Sequence, residues 1–595
     1  MMYFIFAFLL IFSIILTGKS SNLVNYENNL IVNHNNILEN GNIKHSDGIR
    51  NQDKGKNTKS EWWKNGIIYQ IYPRSFKDTT GNGLGDLRGV IEKIPYLKYL
   101  GIDTVWLNPI HPSAGIDSGY DIIDYRNIDE LFGSMDDYDE LIEQLHNNGI
   151  KILLDFVPNH TSDQHEWFVK SVQNIEPYSD YYVWVDAKYV NGTRQVPNNW
   201  ISIMKNSMWE WNEQRQQYYL HQFYKEQPDL NYKNPLVQKE IKDVMRFWLD
   251  KGVDGFRIDA FGCLYERQDL KDAPSIPKIP EKQQRIGYTK CLDESYDEIK
   301  SWRVVLDEYK KINSETKIMT VEIYGDMDLL KKCFGNTTHP GAHFVLNFCL
   351  GGLAHHPAKS FVHNLNESLF KSTPGAWPSW VIGNHDIGHP TTTFGEEMID
   401  GIHMVQLLLP GTPVVYMGDE LGMTNTYLRN DQSPNDINNI FLRERGRTPF
   451  QWDSTAQAGF SNKTITWLPV NPNYVTRNVE YEKSATKSHL KIFKALVNLR
   501  KLEVFCTGNV EFYEVSKYVF AFSRSNSILR SYFVILNLGS EIEIINLRKI
   551  KRLLPYKMKV RISSLNAEQY TGEIIRTDSF TLRPNAALVL ESSFF

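Results

Sequence analysis

The chain has 595 residues, of which 42% are apolar and 23% charged, and carries a net charge of −5 at neutral pH. That balance is ordinary for a globular chain with several cores, and it excludes the basic footprint of a nucleic-acid-binding protein. Aromatic residues reach 13%, with 14 Trp, 31 Tyr and 30 Phe, which suits a well-filled core as much as a ring-stacking site.

The apolar run from Tyr3 to Leu16, followed by small and polar residues to Ser21, predicts a signal peptide over residues 1–21 and hence a secreted protein. The run is short of the roughly 20 apolar residues that cross a bilayer. It lacks a basic leading region, so an uncleaved N-terminal anchor is the alternative, and a membrane enters only through this segment. Residues 22–60, rich in Asn, Lys and Ser, bury too little apolar area to offset their ordering entropy and are expected to be disordered.

Order is expected from Glu61-Trp62-Trp63 onward, as strands alternating with amphipathic helices. The strand candidates are Gly66–Ile71, Thr104–Pro109, Lys151–Val157, Gly255–Ala260, Ile318–Ile323, Phe344–Phe348, Trp380–Gly383 and Pro413–Met417. Eight short apolar strands alternating with helices predict an α/β fold, a closed (β/α)8 TIM barrel over residues 61–160 and 235–505. An open doubly wound sheet is the competing topology, but no Gly-rich phosphate loop follows the first strand. Strands three and four are far apart, which predicts an inserted domain over residues 161–234, followed by a helix over Asn234–Asp250. Beyond Phe505 the pattern alternates with a period of two, predicting a C-terminal antiparallel β domain over residues 506–595.

The five cysteines show no zinc-type spacing, and their odd number leaves at least one thiol without an intramolecular partner. Cys333 with Cys349 is the expected bridge. Sequons at Asn191, Asn336, Asn366 and Asn462 fit secretion, whereas the one at Asn159 ends an apolar strand and should go unused.

In such a barrel the chemistry belongs at the C-terminal ends of the strands. Strand three ends in DFVPNH (Asp155, Asn159, His160), strand four in GVDGFRIDA (Arg257, Asp259), strand five in VEIYG (Glu322) and strand seven in GNHD (His385, Asp386). Residues two apart on a strand share a face, so Arg257 projects beside Asp259. A neighbouring cation lowers a carboxyl pKa by about 1–3 units, as a nucleophile requires; a buried structural ion pair is the plain alternative.

These four segments, in this order, resemble the signature regions of the α-amylase superfamily, glycoside hydrolase family thirteen. WWKNGIIYQIYPRSFKD, WLNPIHPSAGIDSGYDIIDY, LHQFYKEQPDLN, LPGTPVVYMGDELGM and RTPFQWD resemble its maltase and α-glucosidase branch. The resemblance implies Asp259 as nucleophile, Glu322 as a general acid with a raised pKa, and Asp386 as the carboxylate that favours the distorted transition state. It implies His160 and His385 as donors to sugar hydroxyls and Arg257 as the group holding Asp259 ionised. Asp121 and Arg447 are expected to pair and close the pocket behind a terminal glucose, with Tyr120 as stacking platform and Phe223 and Gln227 as lining from the inserted domain. Ala260, small where relatives preferring α-1,6 bonds carry valine, implies α-1,4-glucosides such as maltose, or sucrose, as small-molecule substrates. A catalytically idle surface receptor or transporter-associated glycoprotein is the second reading, and an endo-acting amylase the third.

The loop from Asp78 to Asp86 resembles a metal loop with fewer acidic residues. Asp78, Thr80, Asn82, Asp86 and the Leu84 carbonyl are its candidate calcium ligands, and a metal-free turn competes with them. No organic cofactor is expected. NHDIGHP lacks the arginine of chloride-dependent relatives, so no chloride activation is expected.

Overall fold

The computed structural model describes residues 61–274, 285–324, 327–370, 375–429, 443–526 and 530–592. The expected signal peptide and Asn-rich segment lie outside the described residues.

Eight parallel strands form one sheet: β1 (Ile68–Ile71), β2 (Thr104–Leu107), β3 (Lys151–Phe156), β4 (Gly255–Ile258), β5 (Ile318–Glu322), β6 (Phe344–Leu346), β7 (Ser379–Val381) and β8 (Thr412–Tyr416). β1 to β6 pair in chain order, β7 pairs with β8, and β1 pairs with β8. The ring closes between β6 and β7 through Val381 N to Asn347 O (3.0 Å) and Ser379 Oγ to the Val345 carbonyl (2.6 Å). The strands are the expected ones: β2 to β8 end one or two residues early, β1 begins two residues late, and β7 and β8 begin one residue early.

Alternation sorts the side chains. Ile68, Trp106, Leu153, Ile318, Phe344, Leu346, Val381 and Val414 fill the lower lumen, while the opposite faces join the core beneath the helices. Above them the same inward register carries polar groups. Asp155 lies opposite Arg257, and Arg257 opposite Thr320, so Glu322 stands one inward step higher. Gly255 begins β4 because a Cβ there would stand 2.1 Å from the Ile318 carbonyl oxygen.

The outer helices bury one apolar stripe each. α1 (Met135–Asn147) starts at a Ser134–Asp137 capping box and buries Tyr138, Leu141, Ile142 and Leu145. α2 (Pro235–Asp250) begins one residue later than expected and is capped by Asn234, whose side chain accepts from Leu236 N. α3 (Ile399–Leu408) is buried on every side, since it runs between the barrel and the C-terminal sheet. At Gly401 a Cβ would come within 2.4 Å of Leu536 Cδ1.

The inserted domain is a small sheet (Trp184–Val185, Gln217–Leu220, Trp209–Asn212) with a hairpin, packed around Trp200, Met208, Trp209, Tyr218 and Leu220. It returns to the barrel through the bridge pair His160–Asp229, next to its internal pair Tyr182–Leu230. The C-terminal sheet is antiparallel, with β9 (Asn509–Glu514), β10 (Val519–Ser525), β11 (Tyr532–Asn537), β12 (Lys557–Ser563), β13 (Ile574–Arg576) and β14 (Ala587–Glu591). One of its faces packs on its own small core and the other on the barrel, so β10, β11 and β14 are almost wholly buried.

Cys333 and Cys349 are not joined in a disulfide, which corrects the expected bridge. Cys333 Sγ faces the Leu329 carbonyl at 3.6 Å, whereas Cys349 Sγ accepts from Ser368 Oγ at 3.5 Å. Asn191, Asn336 and Asn462 are exposed and Asn366 is half-buried; Asn159 is buried. No described helix is long and apolar enough to cross a membrane.

Candidate active site

The centre of the site is Arg257, 1% exposed on β4. Its Nη1 donates to Asp155 Oδ1 on β3 and to Asp259 Oδ1, both at 2.7 Å, and its Nη2 lies against Glu322 Oε2 on β5. A planar guanidinium with several fixed donors suits such a bridge between carboxylates. Asp155 is fixed further by Tyr120 OH (2.9 Å) and Trp106 Nε1 (3.2 Å).

Asp386 sits beyond β7, where Asn384 Oδ1 accepts from the backbone of Asp386 (2.9 Å) and Ile387 (2.8 Å). Arg447 Nη2 (3.0 Å) and Arg443 Nη1 (3.3 Å) both reach Asp386 Oδ1. Asp259, Glu322 and Asp386 therefore gather at the C-terminal rim, as expected.

The expected pairing of Asp121 with Arg447 is corrected. Asp121 is fully buried and accepts from Ser113 Oγ (2.7 Å), Asp117 N (3.1 Å) and Ile116 N (3.2 Å), so it braces its own loop. Arg447 is spent on Asp386 and on the His385 carbonyl (2.8 Å). The pair across the pocket is Asp117 with Arg443, at 2.8 Å, each four residues earlier in its segment. Asp117 also accepts from Gln227 Nε2 at 3.3 Å, which ties the inserted domain to this wall. No pattern in IDSGYD separates the two aspartates; only the turn, with Ser118 and Gly119 at positive φ, aims Asp117 across the pocket.

The histidines also differ from expectation. His385 Nδ1 faces Gln70 Nε2 and its Nε2 faces Tyr120 OH, both at 2.9 Å. Since the Gln70 amide donates, the Nε2–H donates to Tyr120, an assignment made from the network. His160 meets Asn159 Nδ2 (3.1 Å), the Tyr120 carbonyl (3.1 Å) and Gln227 Nε2 (3.0 Å). Burial pushes His160 down to about 4 and His385 well below its ordinary value, so both are neutral. Both ring nitrogens of each are engaged with protein, so they hold neighbours in place rather than presenting a free N–H. Tyr120 is 5% exposed and stacked on His385 (5.4 Å, 5°), so it is a network residue rather than an open platform. Phe223 is half-buried against His160 (4.9 Å), and Gln227 is buried. Sequence reasoning missed Gln70 and Asn108, and also the stacked pair Tyr324–Phe348 (4.8 Å), whose Tyr324 hydroxyl bonds Asn384.

Electrostatics sharpen one expectation and reverse another. Burial opposes the charge on Asp386, yet the cations of Arg443, Arg447 and Arg257 together hold it well below the usual carboxylate range. Burial pushes Asp259 up to about 7 against the pull of Arg257, and the carboxylates of Asp155, Asp386 and Asp117 push with it. Arg257 was expected to lower this pKa; it does not prevail because burial outweighs its pull and the one cation is divided among three carboxyl groups.

The candidate metal loop does not fit calcium. Asp78 Oδ1 accepts from Gly81 N (2.7 Å) and Thr80 Oγ1 (3.2 Å), and its Oδ2 from Gly83 N (2.8 Å) and Ser461 Oγ. Asp86 caps the helix Leu87–Glu92 and accepts from Gly89 N, Thr79 N and Thr79 Oγ1, while Asn82 Oδ1 accepts from Leu84 N. Calcium takes about 6–8 oxygens with free lone pairs; here Asp78 already accepts from four protein donors and Asp86 from three.

The family profile for the alpha-amylase catalytic domain matches residues 70–508. The chain belongs to the alpha-amylase family. Among its relatives, a salivary alpha-glucosidase of Aedes aegypti is 39% identical over 90% of this chain and 96% of its own. Maltase A1 of Drosophila melanogaster is 39% identical over 89% and 96%. The human amino acid transporter heavy chain SLC3A1 is 37% identical over 89% of this chain and 78% of its own. Among solved structures, the trehalulose synthase MutB of Pseudomonas mesoacidophila superposes with a TM-score of 0.77 at 30% identity, covering 90% of this chain and all of that one.

Proposed function

We propose that the protein is a secreted, exo-acting, retaining α-glucosidase that takes glucose from the non-reducing end of α-1,4-linked di- and oligosaccharides or sucrose. The observation that carries this reading is the single guanidinium of Arg257 in contact with both Asp259 and Glu322. Retaining pairs stand about 5–5.5 Å apart and inverting pairs about 6.5–9.5 Å, with a water between; one shared cation favours the shorter spacing.

In the first step an Asp259 carboxylate oxygen bonds the anomeric carbon, the glycosidic bond breaks, and the Glu322 proton goes to the leaving oxygen. In the second, Glu322 takes a proton from water, the water oxygen bonds the anomeric carbon and the Asp259 ester breaks. A sugar hydroxyl in place of that water gives glucosyl transfer. Asp386, held ionised by its arginines, stabilises the positive charge that develops on the ring. The Asp117–Arg443 pair gives the pocket a back wall, which supports exo-action over threading of a long chain.

The SLC3A1 relative favours a second reading, a non-catalytic glycoprotein. Purified protein assayed on maltose, sucrose, isomaltose and starch, with Asp259→Ala as control, separates the two. Glucose release by the wild type and its loss in the variant supports the enzyme; no release from any substrate supports the second reading.

A further inference from the structure

The turn that follows Asp259 is unusual in its backbone. Ala260 lies in the left-handed region (φ 48°, ψ 20°), and Cys263 N closes the turn onto the Ala260 carbonyl at 2.9 Å. A non-glycine residue in that region is strained and persists only where its surroundings enforce it. Part of the enforcement comes from within the barrel, where Cys291 N donates to the Gly262 carbonyl at 2.6 Å.

The other part comes from the inserted domain. Gln222 is 2% exposed, and its Nε2 lies 2.7 Å from the Cys263 carbonyl oxygen and 2.8 Å from Asp229 Oδ2. Two acceptors thus converge on one amide nitrogen, which has one hydrogen for each. The reverse amide orientation would set an oxygen against a carbonyl and a carboxylate, so the geometry itself assigns the flip. Asp229 is 2% exposed and also accepts from Gln222 N (3.1 Å) and from Asn159 Nδ2 (3.2 Å), the residue before His160. The Gln222–Asp229 pair therefore joins Asn159, just beyond the end of β3, to the inserted domain and the nucleophile's turn. Farther out, the same domain grips the continuation of that loop. Asn198 Nδ2 donates to the Leu270 carbonyl (3.1 Å), Trp200 Nε1 to the Lys271 carbonyl (3.0 Å) and Asn199 Nδ2 to the Ala273 carbonyl (2.9 Å).

We propose that Gln222 is a positioning residue for glucosyl-enzyme formation, its side-chain amide tying the inserted domain to the Cys263 carbonyl and so holding Asp259 at its angle of attack. The inference rests on Asp259 being the nucleophile. Gln222 touches none of the three catalytic carboxylates in any described hydrogen bond, so it acts through the turn. Losing both donors frees the turn and strands two buried acceptors, and the deficit falls on the attack rather than on sugar binding.

The test uses the full chain as wild type, Gln222→Met and Gln222→Glu. Each is labelled with 5-fluoro-α-D-glucosyl fluoride, the rate of ester formation is followed by intact mass, and the labelled peptide is identified. Binding of 1-deoxynojirimycin and the thermal midpoint are measured alongside. Ester formation at least tenfold slower, with inhibitor Kd within threefold of wild type, supports the proposal. Gln222→Glu keeps the side-chain volume and retains at most one donor, its carboxyl proton, for two acceptors, so it reads the same outcome if the Met variant folds poorly. Ester formation within twofold of wild type, or rate and binding falling by the same factor in both variants, overturns it. Wild-type label on a residue other than Asp259 would remove the nucleophile assignment and the inference together, whereas equal labelling of Asp259 in all three proteins removes the inference alone.

Discussion

Replacing Asp155 with Asn removes a negative charge from the site while keeping an oxygen that can accept from Tyr120 and Trp106. Asp155 Oδ1 and Asp259 Oδ1 each lie 2.7 Å from the same Arg257 nitrogen, so the two oxygens are within twice that distance of each other. At about 5 Å and an effective dielectric constant of about 20, two unit charges repel by roughly 3 kcal/mol, or about 2 pKa units. The neutral side chain also stops competing for Arg257, which turns wholly to Asp259 and Glu322. Asp259, pushed up to about 7 in the free enzyme, must be ionised to attack, so activity falls as pH drops below that value. Asp155→Asn should therefore move the acid limb of kcat/KM for 4-nitrophenyl α-glucoside downward by 1–2 pH units, whatever its effect on the plateau. A limb within 0.3 units of the wild type would refute the view that Asp155 sets the protonation of the nucleophile.

Three further outcomes follow from the same geometry. Asp117→Ala should lower kcat/KM on maltose by about 10–100-fold, mainly through KM, as expected for losing charged hydrogen bonds worth roughly 1.5–3 kcal/mol; an equal loss on long maltodextrins would count against a back wall. Ala260→Val should raise isomaltose hydrolysis relative to maltose. It should also lower the thermal midpoint, because a β-branched residue at φ 48° costs roughly 1–2 kcal/mol, and an unchanged ratio of rates would remove Ala260 as a linkage determinant. Chelation with EDTA should leave the thermal midpoint within 1 °C, whereas a drop of several degrees reversed by calcium would show that the loop from Asp78 to Asp86 opens to hold an ion.

The barrel was legible because its strands are short apolar runs whose period and spacing admit few other folds. The candidate carboxylates Asp259 and Glu322 were legible because each stands at the end of a strand, where alternation and barrel geometry fix which way a side chain points, whereas Asp386 lies beyond β7 and was legible only through the GNHD segment. The Asp117–Arg443 pair was not. Both residues sit on turns, where backbone dihedrals rather than strand period set direction, and Asp121 and Arg447 have the same chemistry four residues away. The direction of the Asp259 shift was illegible for a related reason. Arg257 beside Asp259 is visible in FRIDA, but the claim of Asp155 on the same nitrogen depends on the register between β3 and β4. The tautomers of His160 and His385 depend in turn on Asn159, Gln70 and Tyr120, of which only Asn159 is adjacent in sequence.

Contact of one guanidinium with both Asp259 and Glu322 makes a double displacement the central claim. Proton NMR of the sugar first released from maltose, recorded before mutarotation, tests it most directly. The account predicts α-glucose as the initial product from the wild type; β-glucose appearing first would contradict it.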